Sequence, residues 1–303
     1  MIPSYNSGKY LHKTLQSVMA ADRGPERMEI EVVDHCSTEG DPEALVRAVC
    51  GSRVAFYRRP KNEGAIANFN VCIQRSHGRL IHILHSDDYV LPGFYAEIER
   101  LAEAHANAAL LATRCFFVDE NEIITGVTTR IPELENAARS ARRFYYETPM
   151  QFPGVVIRRE FYEAHGGYMP SLVHTCDREM WARAVSSEGG AISTNVLACY
   201  RESASNETAA AVRSGENVRD VLRLAEVFRK RYPEFSSRRA RQIAAHIALR
   251  QARRLWALND IDSARSNWRL WVENCSCLDR LKEGLRPFVR SVLGGDRALS
   301  GLA

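Results

Sequence analysis

Leu80-Ile-His-Ile-Leu84, running into His85-Ser-Asp-Asp88, is the stretch on which the fold turns. Its apolar run is long enough for a strand and short for a helix, and two adjacent carboxylates close it. Ala65 to Ser76 ahead of it and Pro92 to Ala106 behind it both carry helical periodicity. Helix, strand and helix in succession predict an open α/β sheet, whose ligands bind in the crevice beyond the carboxyl ends of the strands. Asp87 and Asp88 are therefore expected at a ligand-facing edge.

The same alternation extends both ways. Glu29-Ile-Glu-Val-Val33, Val54-Ala-Phe-Tyr57, Ala109 to Val118 and Gly154 to Ile157 read as further strands, and Pro42 to Val49 as a helix. From Thr14 to Asn206 the pattern predicts a mostly parallel sheet flanked by helices. Ile131 to Phe152 is polar, basic and aromatic without a period, and is expected to be a mobile loop or insertion. Beyond Asn206 the character becomes all-helical: Val218, Val221, Leu222, Ala225 and Phe228 follow a helical period, as do Leu278, Leu281, Leu285, Phe288, Val289 and Val292. The expected organisation is a catalytic α/β domain over 1–206 and a helical extension over 207–303. Arg219, Arg223, Arg229, Lys230, Arg231, Arg238, Arg239 and Arg241 are expected on its solvated faces.

Composition narrows the function class. With 45% apolar and 26% charged residues in 303, the chain is ordinary for a globular protein and unlike a disordered, collagenous or coiled-coil sequence. Cys50, Cys72, Cys115 and Cys199 sit singly in apolar runs and Cys275-Ser-Cys277 lacks metal or redox spacing, so the cysteines read as reduced and the protein as cytoplasmic. No apolar run reaches the roughly 18 residues that span a bilayer. Arg280, Lys282, Arg286 and Arg290 flank an apolar stripe, which suits either a packed cap or peripheral contact with an anionic membrane at its inner face. The basic residues lie on helices without interleaved aromatics, so nucleic acid is not an expected partner.

Adjacent carboxylates at a strand end suit a hard dication, Mn²⁺ or Mg²⁺, bridging a diphosphate; Ser-Asp-Asp also suits a plain turn. Asp34 and Ser37 follow the Glu29 to Val33 strand and face the same edge, where Asp34 could accept from a nucleoside or cap a helix. Asn62-Glu-Gly64 and Asn68-Phe-Asn70 bring amide groups and a permissive glycine close by. His82 and His85 differ by an odd number of residues and point to opposite faces of a strand, which argues against a shared histidine site.

The order of these pieces resembles the family 2 glycosyltransferases: Ile2-Pro-Ser-Tyr-Asn6, Val32-Val-Asp-His-Cys-Ser-Thr38, Asn62-Glu-Gly64 with Asn68-Phe-Asn70, Gly78-Arg-Leu-Ile and His85-Ser-Asp-Asp88. Gly154-Val-Val-Ile-Arg-Arg159, Gly166-Gly-Tyr168 and Cys176-Asp-Arg-Glu-Met-Trp-Ala-Arg183 continue it. The resemblance implies a GT-A fold and an inverting, metal-dependent transfer from a nucleotide-diphosphate sugar, UDP favoured, to a saccharide or lipid-linked saccharide in cell-surface polysaccharide or glycolipid synthesis. Carried over, it places Pro3, Tyr5 and Asp34 around the nucleoside, with Asn6, Asn62, Gly64 and Asn68 completing the donor site. Asp87 and Asp88 would serve ribose, diphosphate and metal, with Asp177 as general base.

His35 and Cys36 stand where the family usually has Asp and Gly, His85 where the first acid of its DxD motif often lies, and Ser203 where Tyr-Arg-x-His would end. The processive Gln-x-x-Arg-Trp signature is absent, so a single addition is expected. The family's first strand normally precedes Pro-Ser-Tyr-Asn; here only Met1 and Ile2 do, so an incomplete sheet or an upstream start is expected. A non-catalytic sugar-nucleotide-binding scaffold is the alternative. A nucleotidyltransferase would show a Gly-rich basic loop after the first strand, which is missing.

Overall fold

Short strands alternating with amphipathic helices build the first half of the chain. The computed structural model describes residues 1–130, 143–146, 149–203, 207–232 and 235–276. The chain divides into two units, Met1–Asn206 and Glu207–Ala303.

In the first unit, β1 (Ile2–Ser4), β2 (Glu31–Asp34) and β3 (Ala55–Arg58) pair in parallel, with α1 (Gly8–Ala20) and α2 (Pro42–Cys50) as crossovers. All four residues of β2 are buried, the pattern of a strand covered on both faces. Its Glu31 is held by a two-pronged bond from Arg75 at 2.7 and 2.8 Å. The sequence starts α2 where it should: the Asp41 carboxylate accepts from Ala44 N–H at 3.0 Å, and Pro42 opens the first turn.

The second sheet runs β4 (Leu80–His82), β8 (Val155–Arg158), β6 (Leu110–Val118), β9 (Gly190–Arg201), β5 (Tyr89–Val90), with β7 (Ile124–Val127) on β6. Only β6 and β9 pair in parallel, so this half is mixed. α3 (Ala65–Arg75) packs on β1 and β2, whereas α4 (Phe94–Ala104), α5 (Arg159–His165) and α6 (Cys176–Glu188) pack on the second sheet. The result is a mixed α/β fold with a parallel sheet flanked by helices. The apolar core between layers includes Leu11, Leu15, Val32, Leu84, Phe94, Ile98 and Leu111.

The expectation is an incomplete sheet or an upstream start, and a short strand forms over Ile2–Ser4. Ile2, Pro3 and Ser4 themselves pair with Val32, Val33 and Asp34. Met1 carries the ladder across to the second sheet: its ammonium donates to the His82 carbonyl at 2.8 Å and its carbonyl accepts from Leu84 N–H at 3.0 Å. Met1 thus joins the start of β1 to the second sheet, and the Pro-Ser segment read as following the strand is part of it.

The second unit is helical: α7 (Glu207–Ser214), α8 (Glu216–Arg231), α9 (Ser237–Ala257) and α10 (Ile261–Asn274). Val218, Val221, Leu224, Ala225 and Phe228 are buried along α8, with Leu222 half-buried beside them. Ser236 and Asp260 cap α9 and α10 by accepting from Arg239 and Ser263 N–H. The eight basic residues from Arg219 to Arg241 named above are exposed. Residues 131–142 of the expected insertion, the Leu278 to Val292 stripe and its basic flanks lie outside the described residues. Among the described residues no helix is long and apolar enough to cross a membrane.

Candidate active site

The β4 strand end carries the most unusual electrostatics in the unit. One ligand atom each from His85, Asp87 and Asp88 lie within 4.8 Å of one another. Asp88 is 1% exposed. Its Oδ1 accepts from the Arg201 backbone N–H at 2.8 Å, whereas Oδ2 is buried with no partner. Burial, and then the charge of Asp87, push the Asp88 carboxyl well above the usual carboxylate range. A buried carboxylate oxygen without a donor is costly unless something positive meets it, so this donor set fits a divalent cation.

The turn bearing these residues is braced from three directions. The Thr14 hydroxyl on α1 lies 2.9 and 2.7 Å from the carbonyls of Ser86 and Asp88, and the Ser86 hydroxyl donates to Ser7 Oγ at 2.6 Å. The Arg201 guanidinium, 2% exposed at the end of β9, donates to the Asp87 carbonyl at 2.9 Å and the Asp119 carbonyl at 3.2 Å. It sits over the Tyr10 and Tyr89 rings at 4.7 and 5.6 Å. His85 stacks on Phe69 at 4.9 Å and meets Phe152 at 4.3 Å, while burial pulls its pKa below the ordinary imidazole value and keeps the ring neutral. His82 has partners of its own, Tyr95 Oη at 3.2 Å and the Pro153 carbonyl at 3.1 Å.

The β1 and β2 ends form a second cluster. Asp34 is fully buried and accepts from both the backbone N–H and the hydroxyl of Ser37, with Arg58 Nε 3.4 Å away. The helix-cap role open to Asp34 belongs instead to Asp41; Asp34 folds its own loop. Asn6, at φ +50°, accepts from Thr38 and Glu39 N–H at 2.9 and 3.2 Å and so ties the β1 loop to the β2 loop. Tyr5 stands 45% exposed, edge-on to His35 at 6.4 Å, and offers an open aromatic face. Pro3 is buried inside β1.

His35 replaces a carboxylate in the resemblance, and its surroundings explain how it is accommodated. The Glu63 N–H donates to its Nε2 at 2.7 Å and Arg59 Nη1 lies 2.9 Å from the same nitrogen. Burial and the Arg59 charge lower its pKa, so it serves as a neutral acceptor that pins the 59–64 loop. Within that loop Asn62 Oδ1 accepts from Gly64 N–H at 3.0 Å, and Gly64 adopts φ +91°, which favours glycine. Asn68 is buried and donates to the Val33 carbonyl at 3.0 Å, leaving its Oδ1 buried without a partner.

Asp177 lies on a separate element, half-buried in the first turn of α6. Thr175 occupies the N-cap position without a side-chain cap bond, and the Asp177 carboxylate accepts from the first-turn Arg178 N–H at 2.7 Å. Four residues on, Trp181 shares its helix face and meets Phe152 at 5.8 Å, linking α6 to the rings around His85. The loop leading to α6 is clamped twice. Asn70 exchanges two hydrogen bonds with the Tyr168 backbone at 2.8 and 2.9 Å. Arg183, buried and paired with Glu179 at 2.9 Å, donates to the carbonyls of His165, Gly166 and Gly167.

The structure thus brings His85, Asp87 and Asp88 together, groups Asn6, Asp34 and Ser37 at the ends of β1 and β2, and joins α3 to the loop before α6 through Asn70. Thr14, Arg59 and Arg201 were missed. Arg201 stands in the Tyr200-Arg-Glu-Ser203 segment, but nothing local shows that its guanidinium reaches Asp87.

Comparison with known proteins bears on the family and the fold. Residues 1–166 match the family described as glycosyl transferase family 2. An uncharacterized protein of Mycobacterium tuberculosis is 25% identical over 237 residues, 74% of this chain and 72% of its own. The poly(ribitol-phosphate) β-N-acetylglucosaminyltransferase TarS of Staphylococcus aureus is 25% identical over 112 residues, 37% of this chain and 20% of its own. A TarS fragment with UDP-GlcNAc superposes with TM-score 0.60 at 17% identity, covering 82% of this chain and 70% of that one. The mannosyltransferase PcManGT of Pyrobaculum calidifontis, with GDP-Man and Mn²⁺, gives TM-score 0.54 at 15% identity over 96% and 79% of the two chains. The match covers more than half of the sequence, and the chain belongs to glycosyl transferase family 2.

Proposed function

We propose that this glycosyltransferase moves one sugar from a nucleoside-diphosphate sugar, a UDP-sugar by preference, to an acceptor hydroxyl with inversion. The observation that carries the reading is the buried, unpartnered Asp88 Oδ2 beside Asp87 and His85 at the β4 end. Asp87 and Asp88 would hold Mn²⁺ or Mg²⁺ there. Such a dication, when bound, neutralises the departing diphosphate. TarS with UDP-GlcNAc and PcManGT with GDP-Man and Mn²⁺ support a donor of this class.

In this reading the catalytic work belongs to residues 1–206. Tyr5 supplies a face for the base; Asn6 and Asp34 shape the nucleoside loop over a floor that includes Pro3. Asn62, Gly64 and Asn68 form the side nearest α3. Arg201 and Thr14 keep the Asp87-Asp88 turn from shifting as charge develops, and preorganisation of that kind lowers the barrier. Asp177, in the first turn of α6, takes the proton of the acceptor hydroxyl. The acceptor oxygen bonds to the anomeric carbon as the bond from that carbon to the diphosphate oxygen breaks, and the electron pair leaves with the nucleotide.

The acceptor we assign is a saccharide or lipid-linked saccharide of a cell-surface polymer. Contact of the C-terminal extension with an anionic membrane at the cytoplasmic face belongs to this reading, from the basic flanks of the Leu278 to Val292 stripe in the sequence. The test is Asp177→Asn: transfer should fall by a factor of about 10²–10⁴ with UDP binding unchanged. Unchanged transfer would remove Asp177 from the reaction, and donor binding without transfer in the wild-type chain would favour the non-catalytic scaffold.

A further inference from the structure

Two polar atoms at the β4 end lack partners, and only one is a carboxylate oxygen. The other is His85 Nε2, buried without a hydrogen bond. The two other histidines near these strand ends have their bonds: His82 uses both ring nitrogens, and His35 Nε2 receives two donors. The His85 ring is clamped as well, stacked on Phe69 with an interplanar angle of 17° and set against Phe152 at 4.3 Å. A clamped imidazole with an unused nitrogen is preorganised for one direction of bonding. His85, Asp87 and Asp88 are the one group of three such side chains among the described residues whose ligand atoms approach within 4.8 Å.

We propose that His85 is itself a ligand of the divalent ion in the donor site, making a set of one imidazole and two carboxylates that selects Mn²⁺ or Co²⁺ over Mg²⁺ and Ca²⁺. The inference rests on the donor-site reading for the presence of an ion, but the identity of the third ligand is independent of it. Mg²⁺ and Ca²⁺ are hard ions that take oxygen, whereas imidazole suits first-row transition metals. Replacing an acidic position with a neutral ring also removes one negative charge from the set, which weakens the attraction for ions that bind by charge alone. The remaining oxygens are already oriented: the Arg201 N–H holds Asp88 Oδ1 at 2.8 Å, leaving Oδ2 to face the ion.

The experiment is pulsed electron paramagnetic resonance on the full chain with Mn²⁺ and UDP, alongside competition of Mg²⁺ for the same site. Wild-type protein should show electron spin-echo modulation from a directly bound ¹⁴N. His85→Asp should lose that modulation, and its Mn²⁺ to Mg²⁺ affinity ratio should fall about tenfold, equivalent to about 1.4 kcal/mol. Bound Mn²⁺ without nitrogen modulation in the wild-type chain would overturn the inference and leave the donor-site reading standing. Failure of Mn²⁺ to bind at all, with UDP present, would overturn both. The wild-type spectrum decides the matter even if His85→Asp does not fold.

Discussion

Arg201→Met removes the guanidinium behind the acidic turn and should be felt in both stability and donor binding. The side chain donates to the carbonyls of Asp87 and Asp119 at 2.9 and 3.2 Å, and its replacement breaks both bonds, although the Asp119 carbonyl keeps the Glu122 N–H at 3.1 Å. Each such loss costs about 1–3 kcal/mol. The contact with Glu122 at 3.4 Å adds little, because that carboxylate is 38% exposed and screened. Methionine keeps most of the apolar stem against Tyr10 and Tyr89, so the net cost is about 3 kcal/mol. At roughly 2–4 °C per kcal/mol for a unit of this size, the melting temperature should drop by roughly 6–12 °C. Differential scanning calorimetry reads the stability, and titration with UDP and Mn²⁺ reads the slackened turn. The bond from the Arg201 N–H to Asp88 is made by backbone and survives the substitution, so binding should weaken without vanishing. A melting temperature within about 2 °C of wild type would refute the bracing role.

Asn70→Ala cuts both bonds between α3 and the Tyr168 backbone, which should cost about 1–3 kcal/mol and lower kcat for transfer while UDP affinity stays put. Unchanged kcat would separate that loop from the Asp177 approach. Burial holds the His82 pKa at about 3, below its ordinary 6.5, so between these values the unfolded chain binds a proton that the folded chain refuses. Stability should therefore fall as pH drops below about 6.5, by about 1.4 kcal/mol per pH unit from this ring. Urea melts at pH 6.5 and 5.5 should show a shallower loss in His82→Gln, and equal slopes in the two proteins would contradict the assignment.

What could be read in advance was what is local. The Leu80 to Leu84 run, the Asp41-Pro42 helix start and the left-handed Gly64 declare themselves in a few residues, because periodicity, capping and backbone freedom act over that range. What stayed hidden depends on distant partners. β9 was not visible as a strand because its pairing with β6 shifts register twice near Arg114 and leaves it half-exposed, which blurs a period of two. Arg201 lies 113 residues from Asp88, and no spacing rule joins them. His35 looked like a lost carboxylate, yet Arg59 and the Glu63 N–H, supplied by the next loop, give it a neutral acceptor's role. Asp34 could be placed at the edge from its strand, but whether it capped a helix or closed its own loop depended on which acid, Asp34 or Asp41, the helix start chose.

The central claim, a metal-assisted nucleotide-sugar site at the β4 end, is tested most directly by calorimetric titration of UDP, GDP and dTDP with and without Mn²⁺, on the wild-type chain and on Asp88→Asn. One nucleotide, UDP, should bind with Mn²⁺ present and lose that binding in Asp88→Asn. Folded protein that binds none of the three, or binds UDP equally well in Asp88→Asn, would contradict it.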